Sequence, residues 1–394
     1  MSPMPPWEAG AFQMIRTALT RRPYASARSA SRVWMTALCP SPSNSTICSA
    51  YSNPWSGPVA GSRARTGQSF SRVSGSAGPT RSTGTRMIEV SGATGKPACS
   101  AIQVRTGHRL VGVHDGVARF ATAAGEVRVA ADLIVGADGI HSALRRQHQP
   151  DEGEPIWNGL TLWRGTARAP GFLDGRTMIM AGDAEQKFVA YPIGPGLINV
   201  VAERRGPGFA GPNADWNRTV DPAPVVALFA DWRFPWLDVP ELLAAADEIL
   251  EYPMVDRDPV DTWTHGNTTL LGDAAHPMYP NGSNGASQAI LDARTLAFHL
   301  AAAPTVRAAL DAYEADRRPA TTALVLSNRR QGPEQVMVLA RERAPDGFAH
   351  IHDVIPPDEL TEIATGYKKA AGFLPADLNE RASLTPTVFS GVLP

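Results

Sequence analysis

The 394-residue sequence predicts an α/β protein, α+β in overall content. One sheet has a central strand buried on both faces, and a second sheet of antiparallel strands follows it. Three observations carry that expectation. A short continuous apolar run at 131–136, in DLIVGADG, reads as a strand buried on both faces. Apolar and polar residues alternate at 161–167, 177–181, 188–193 and 197–203, with Gly- and Pro-rich turns between, as in antiparallel strands. An apolar strand near 268–271 then runs through a glycine-containing loop into a helix over 284–302.

The remaining elements follow from the same periodicities. Segments 103–113 and 117–129 read as strands joined by the polar turn His114-Asp115-Gly116. Helices are expected at 224–230, 240–246 and 305–316. The chain past Pro319 begins helically and loses its pattern after Pro345. No internal repeat is present.

Composition narrows the function classes. The chain is 43% hydrophobic and 19% charged with net charge −1, which favours neither nucleic acid nor an anionic membrane surface as partner. It holds no uninterrupted apolar stretch of membrane-spanning length. Cys39, Cys48 and Cys99 lack metal-ligand spacing, so no metal site and no disulfide framework is expected. The expected location is the cytoplasm, and the expected state a monomer or homodimer.

Residues 1–100 read differently from the rest. Their only acidic residues are Glu8 and Glu89, and Arg, Ser, Pro, Gly and Thr dominate without sustained periodicity. Three explanations compete: a poorly ordered basic tail, an organelle transit peptide, and a gene read out of frame. Length and the many prolines and glycines speak against the transit peptide.

The chemistry-bearing motif is GDAAHPMYPNGSNGASQAILD at 272–292. An aspartate at a strand's carboxyl end accepts hydrogen bonds from sugar-type hydroxyls. Glycines let a backbone approach a flat ring closely, and a helix start aims free N–H groups at electron-rich atoms. A second motif, Asp138 to Arg145 (DGIHSALR), follows the buried run, with Asp138-Gly139 as a tight turn, Ser142 as helix cap and Arg145 as positive charge.

Together, and in this order, the two motifs resemble those of the FAD-dependent aromatic hydroxylases, the superfamily of para-hydroxybenzoate hydroxylase. WRG at 163–165, AYPI at 190–193, YPMVDRDP at 252–259 and YEADRRP at 313–319 resemble its phenazine-carboxylate branch, over roughly residues 104–330. The resemblance implies a Rossmann-like FAD/NAD(P)-binding domain with a degenerate N-terminal half, an inserted antiparallel-sheet substrate domain and C-terminal helices. Its implied boundaries are an atypical leader at 1–100, the rest of the first FAD-binding half at 101–150, the substrate domain at 151–260, the second FAD-binding half at 261–330 and a helical tail at 331–394. It implies FAD as cofactor, NADH or NADPH as reductant, and hydroxylation of a small aromatic substrate with O2.

By the same resemblance the cofactor-binding residues are Asp138, Gly139, Arg145, Gly272, Asp273, Pro280, Gly282, Ser283, Asn284, Gly285 and Ala286. Asp273 would hold the flavin ribitol, and the 282–285 backbone would lie against the ring edge. Trp163, Tyr191 and Pro280 would wall the aromatic substrate. Ser287 stands where many members carry asparagine. No acid–base residue is expected, and His276 is read as loop structure.

One expected motif is absent. Residues 1–100 contain no G-x-G-x-x-G, and Gly57, Gly61, Gly75 and Gly78 follow no apolar strand. The leader stands where that Rossmann segment belongs, which favours the out-of-frame explanation and predicts a G-x-G-x-x-G in another frame of the upstream DNA. The rival reading is a flavin-fold remnant that binds no FAD.

Overall fold

The computed structural model describes residues 36–37, 87–90, 102–206 and 218–384. The expectations about the leader, including its order, otherwise lie outside the described residues. In chain order the strands are β1 (Thr36–Ala37), β2 (Met87–Val90), β3 (Ile102–Arg105), β4 (Arg109–His114), β5 (Val117–Thr122), β6 (Gly125–Ala130) and β7 (Ile134–Ala137). Helix α1 (Ala143–His148) leads to β8 (Ile156–Arg168), β9 (Ile179–Gly182), β10 (Gln186–Gly194), β11 (Leu197–Arg205) and β12 (Arg218–Val220). Then come α2 (Pro222–Leu228), β13 (Arg233–Phe234), β14 (Leu237–Asp238), α3 (Val239–Ala244), β15 (Ala246–Asp256) and β16 (Thr268–Leu270). The chain closes with α4 (Gly285–Ala302), α5 (Val306–Arg329), α6 (Gln335–Arg343), α7 (Pro357–Ala370) and α8 (Pro375–Glu380).

Strand β7 lies between β1 and β16, parallel to both. Its residues Ile134 and Val135 are buried, as the continuous apolar run requires. Gly136 is needed for packing: a Cβ there would lie 2.7 Å from the Leu144 side chain, so glycine lets α1 press onto the strand. Leu144, Leu270, Leu296, Leu310 and Tyr313 complete the core around this sheet.

Strands β4, β5 and β6 form a meander, correcting two of the expected spans. The expected strand at 103–113 is broken at Gly107, where φ is +72°, and 117–129 folds back on itself with Thr122 opposite Gly125. Alternation continued through both turns, so periodicity alone did not reveal them.

The six-stranded antiparallel sheet has the order β12-β15-β8-β11-β10-β9. One face, with Phe188, Ala190, Ile198, Val200 and Ala202, packs on α2 and α3. The opposite face carries Leu160, Leu162, Met254 and Val201 against Tyr279. Strand β15 was not foreseen; the expected helix over 240–246 ends at Ala244, and a strand begins at once. Its sequence ADEILEYPMVD hides the alternation behind two register shifts and Pro253. Among the described residues β12 pairs with Ile249, Leu250 and Glu251, and on that side none lies opposite Pro253, where a strand tolerates a proline.

Helix α5 also exceeds expectation, running through Pro319 to Arg329 rather than stopping near 316. A proline inside a helix removes one hydrogen bond and strains the preceding turn. Burial of Leu310, Tyr313, Leu324, Val325 and Asn328 along one side outweighs that cost. Beyond Pro345, α7 and α8 continue the chain where sequence pattern faded. Among the described residues no helix is long and apolar enough to cross a membrane, and no cluster of three or more His, Cys, Asp or Glu is placed to hold a metal ion.

Candidate functional site

Parallel pairing of β7 with β16 sets two distant motifs side by side. Thr268, Thr269 and Leu270 lie opposite Ile134, Val135 and Gly136, so Asp138-Gly139 and Gly272-Asp273 leave adjacent strands at their carboxyl ends. In open α/β sheets this edge is where ligands bind.

Gly272 turns with φ +62° and its N–H donates to Asp292 Oδ2 at 3.0 Å. Asp292, fully buried on α4, also meets His276 Nε2 at 2.5 Å and accepts from Arg317 Nε at 2.8 Å. Burial pushes its carboxyl up, but the His276 bond and the Arg317 charge outweigh burial and hold it below the usual aspartate value. Asp292 thus ties together the GDAAH turn, α4 and α5. His276 is buried, tilted against Trp263 with ring centroids 5.6 Å apart, and its Nδ1 makes no hydrogen bond to the described residues. Its environment is that of a clasp inside the turn.

Asp273, the next residue, is open to solvent and makes no hydrogen bond among the described residues. Surrounding protein raises its carboxyl pKa, with His276 pulling down and Asp292 pushing up. Its direct contact with water limits that rise. Asp138 is buried; its Oδ2 accepts from the Ala143 N–H at 2.7 Å, while Oδ1 makes no hydrogen bond to the described residues. Gly139 has φ +77°, and Ser142 Oγ caps α1 by accepting from the Arg145 N–H at 2.9 Å.

Arg145 was expected to offer its charge to the cofactor; instead it points inward. It is 1% exposed. Its Nη1 donates to the Ala275 carbonyl at 2.8 Å and the Ala274 carbonyl at 3.2 Å, and its Nη2 to Asp258 O at 2.6 Å. Its Nε donates to Glu152 at 2.9 Å, and Arg257 reaches Glu152 and the Ile140 carbonyl. A guanidinium saturated in this way stitches the first motif to the second. The sequence supplied the charge; only the fold supplied its partners.

The loop after GDAAH is held from behind. Gly282 and Ser283 have φ +76° and +55°. Asn281 Nδ2 donates to the Asn328 carbonyl at 3.1 Å, and Asn328 Nδ2 to the Tyr279 carbonyl at 2.9 Å. Tyr367 lies against Gly282 from α7, which sequence reading did not foresee. Pro280, Ser283 and Ala286 stay exposed, Asn284 is buried, and Gly285 is half-buried. A Cβ on Gly285 would meet nothing nearer than Asp273 Oδ1, at 3.9 Å. Ile290, one turn on from Ala286, is 70% exposed. Gly285, Asp273 and the exposed side of the α4 start therefore border one open surface.

Tyr279 inserts between this loop and the sheet face of Leu160, Leu162 and Met254, and burial beside Asp256 pushes its phenol up to about 12. Tyr191 lies on that inner face, paired with Asn199. Trp163 does not; strand alternation turns it to the opposite face, where it packs near α2 and α3 and donates from Nε1 to Glu251 at 2.9 Å. The two aromatics expected to share a pocket wall are thus on opposite sides of the sheet. The inner face carries two groups that sequence reading missed. Arg164 is exposed there, and the buried Asn199 Nδ2 makes no hydrogen bond to the described residues. Their signal was one of register, two residues apart from Leu162 and Val201 respectively, legible only once the strands were paired.

Deeper on the same face, Lys187 lies between Glu203, at 2.9 Å, and Glu334, all three nearly inaccessible to water. Burial pulls the Lys187 ammonium down, but the two carboxylates outweigh it and hold it above its usual value. Burial and Glu334 push Glu203 up. This bridge fixes the Gly332–Glu334 turn, and with it the floor beneath Tyr367, to β10 and β11.

Residues 238–328, which include both β16 and the loop, match the family described as FAD binding domain. The chain is similar in sequence to the FAD-dependent aromatic hydroxylases. It is 45% identical over 244 residues to phenazine 1,6-dicarboxylic acid hydroxylase of Lysobacter antibioticus, covering 57% of this chain and 60% of that protein. It is 36% identical over 243 residues to 3-amino-4-hydroxybenzoate 2-monooxygenase of Streptomyces platensis, covering 60% of this chain and 57% of that protein. The chain thus spans about 60% of the length of these curated relatives. Among solved structures, a salicylate hydroxylase substrate complex superposes with TM-score 0.49 at 23% identity, covering 68% of this chain and 70% of that one.

The residues at the strand edge fit FAD. Asp273 is an open carboxylate suited to ribitol hydroxyls, and Asp138 has a buried oxygen without a described partner. Among the described residues only Asp273 Oδ1, at 3.9 Å, comes near a Cβ built on Gly285, so its α-carbon is open to close approach.

Proposed function

We propose that this chain is an FAD-dependent monooxygenase that hydroxylates an aromatic carboxylic acid, using NADH or NADPH and O2. The observation that carries this reading is the juxtaposition of Asp138-Gly139 and Gly272-Asp273 at adjacent parallel strand ends, opening onto the start of α4. Asp273 would hold the ribitol, and the backbone of Gly282, Ser283, Asn284, Gly285 and Ala286 would line the ring, with Pro280 at its substrate side. When bound, FAD supplies the redox chemistry, taking electrons from the nicotinamide and activating oxygen. The protein binds the cofactor, positions the substrate and excludes water.

Substrate recognition is assigned to the inner sheet face. Tyr191 offers aromatic surface, and Arg164 and the Asn199 amide offer donors to a carboxylate. The names of the two similar hydroxylases, which specify a phenazine dicarboxylic acid and an aminohydroxybenzoate, support an aromatic acid. Arg145 and His276 act through the turn they hold. The proposed division of the chain is 101–150 and 261–330 for FAD, 151–260 for substrate and 331–394 as a tail; a cytoplasmic monomer or homodimer suits the proposed reaction.

A second reading, a flavin-fold remnant without FAD, is favoured by the absence of G-x-G-x-x-G from residues 1–100. Purification with added FAD separates the two. The enzyme reading expects a yellow protein that oxidises NADH or NADPH faster when an aromatic acid is added. A colourless protein that takes up no FAD would refute it.

A further inference from the structure

We propose that Tyr367 is the positioning residue that keeps the start of helix α4 open for the electron-rich edge of a bound flavin, an inference that rests on the FAD reading above. Asn284 occupies the N-cap of α4 and is buried. At that position asparagine ordinarily turns its side-chain oxygen back onto the second or third helical N–H. That bond needs an extended backbone at the cap; here Asn284 has φ −100° and ψ −17°, close to helical, and makes no such bond. Its Nδ2 donates instead to the Tyr367 hydroxyl oxygen at 2.6 Å.

The phenol is itself fixed. Its single proton is directed at the Asn281 carbonyl at 3.2 Å or the Asn328 Oδ1 at 3.3 Å. A Cβ on Gly282 would lie 2.1 Å from the hydroxyl oxygen, so glycine at 282 is what admits the ring. The first intrahelical bond of α4 runs from the Gln288 N–H to the Asn284 carbonyl at 3.0 Å. The N–H groups of Gly285, Ala286 and Ser287 therefore have neither an intrahelical acceptor nor a side-chain cap from Asn284. Beside them stand the open Gly285 α-carbon and the exposed Asp273.

The Tyr367 oxygen holds Asn284 in this near-helical conformation; without it, Asn284 is free to swing to the extended backbone of a cap and occupy donors that a flavin edge would use. The clasp thus comes from a helix 83 residues downstream and acts on the cofactor only through Asn284.

The test compares the full-length protein with Tyr367→Phe, Asn284→Ala and the double variant. Three readouts apply: FAD titration by flavin fluorescence, visible circular dichroism of bound flavin, and hydrogen exchange at 281–287 without FAD. Tyr367→Phe is expected to bind FAD about tenfold more weakly, with an altered visible dichroism and slower exchange at 286–287 as those donors become capped. Adding Asn284→Ala removes the competing cap, so the double variant is expected to regain FAD affinity. A double variant no tighter than Tyr367→Phe would overturn the proposal, as would Tyr367→Phe with wild-type affinity. Wild-type protein that binds no FAD would refute the flavin reading and the role of Tyr367 toward it. In that case the exchange at 286–287 still shows whether the clasp on Asn284 exists.

Discussion

Gly285→Ala separates what the fold requires from what a ligand requires. Gly285 opens α4, and an added Cβ would meet only Asp273 Oδ1, at the ordinary contact distance of 3.9 Å. Nothing among the described residues resists the methyl group. Removing glycine's freedom in the unfolded chain is worth about 0.4–1 kcal/mol where the native backbone suits alanine. At the first helical residue the lower half of that range applies, so the FAD-free variant is expected to be slightly more stable than wild type. The same methyl group projects into the space assigned to the flavin. A tenfold loss of affinity corresponds to about 1.4 kcal/mol. With FAD at a hundred times the wild-type Kd, wild type gains about 2.7 kcal/mol from binding, whereas a tenfold weaker variant gains about 1.4 kcal/mol. Urea denaturation with and without FAD measures both numbers. The reasoning fails if the variant is less stable than wild type without FAD, since that would place protein atoms over Gly285. It fails equally if the FAD-induced gain is undiminished.

Three further outcomes are expected. Asp273→Ala should leave FAD-free stability within about 0.5 kcal/mol, because the side chain is exposed, while weakening FAD binding about tenfold; fluorescence titration and thermal melting check the two halves. Asp292→Asn should cost about 3–5 kcal/mol in urea denaturation at pH 7, since it leaves Arg317 facing a neutral group. Because the folded pKa of Asp292 is lowered, its contribution is complete above the unfolded value of about 3.9 and is lost as pH falls through the lower folded value; the stability gap between wild type and variant should therefore narrow in acid, and a gap that widens there would contradict the assignment. Arg145→Lys should lose at least 2 kcal/mol, roughly, because one ammonium cannot serve Glu152, Ala274, Ala275 and Asp258 together, and chemical denaturation with unchanged midpoint would show the fork to be dispensable.

The out-of-frame explanation of residues 1–100 concerns a segment outside the described residues, save for the backbone of β1 and β2. Sequencing the locus decides it, by finding or failing to find a G-x-G-x-x-G segment in another frame.

Sequence alone determined those features that depend on local order: the buried run ending at Asp138, the strand–loop–helix from Thr268 to Ala302, and the alternating strands of the antiparallel sheet. Each of these is a period or a short pattern, carried by neighbours along the chain. The tertiary structure decided whatever depends on which distant residues meet. It turned Arg145 inward onto two carbonyls 129 and 130 residues away, and it put Trp163 and Tyr191 on opposite faces through register. It carried α5 through Pro319 by burying the flanking residues, and it brought Tyr367 to Gly282 from beyond the point where the pattern faded. Side-chain chemistry is written in the sequence, but hydrogen-bond partners and the occupied face of a glycine belong to packing, because a contact is a property of two segments and neither encodes it by itself.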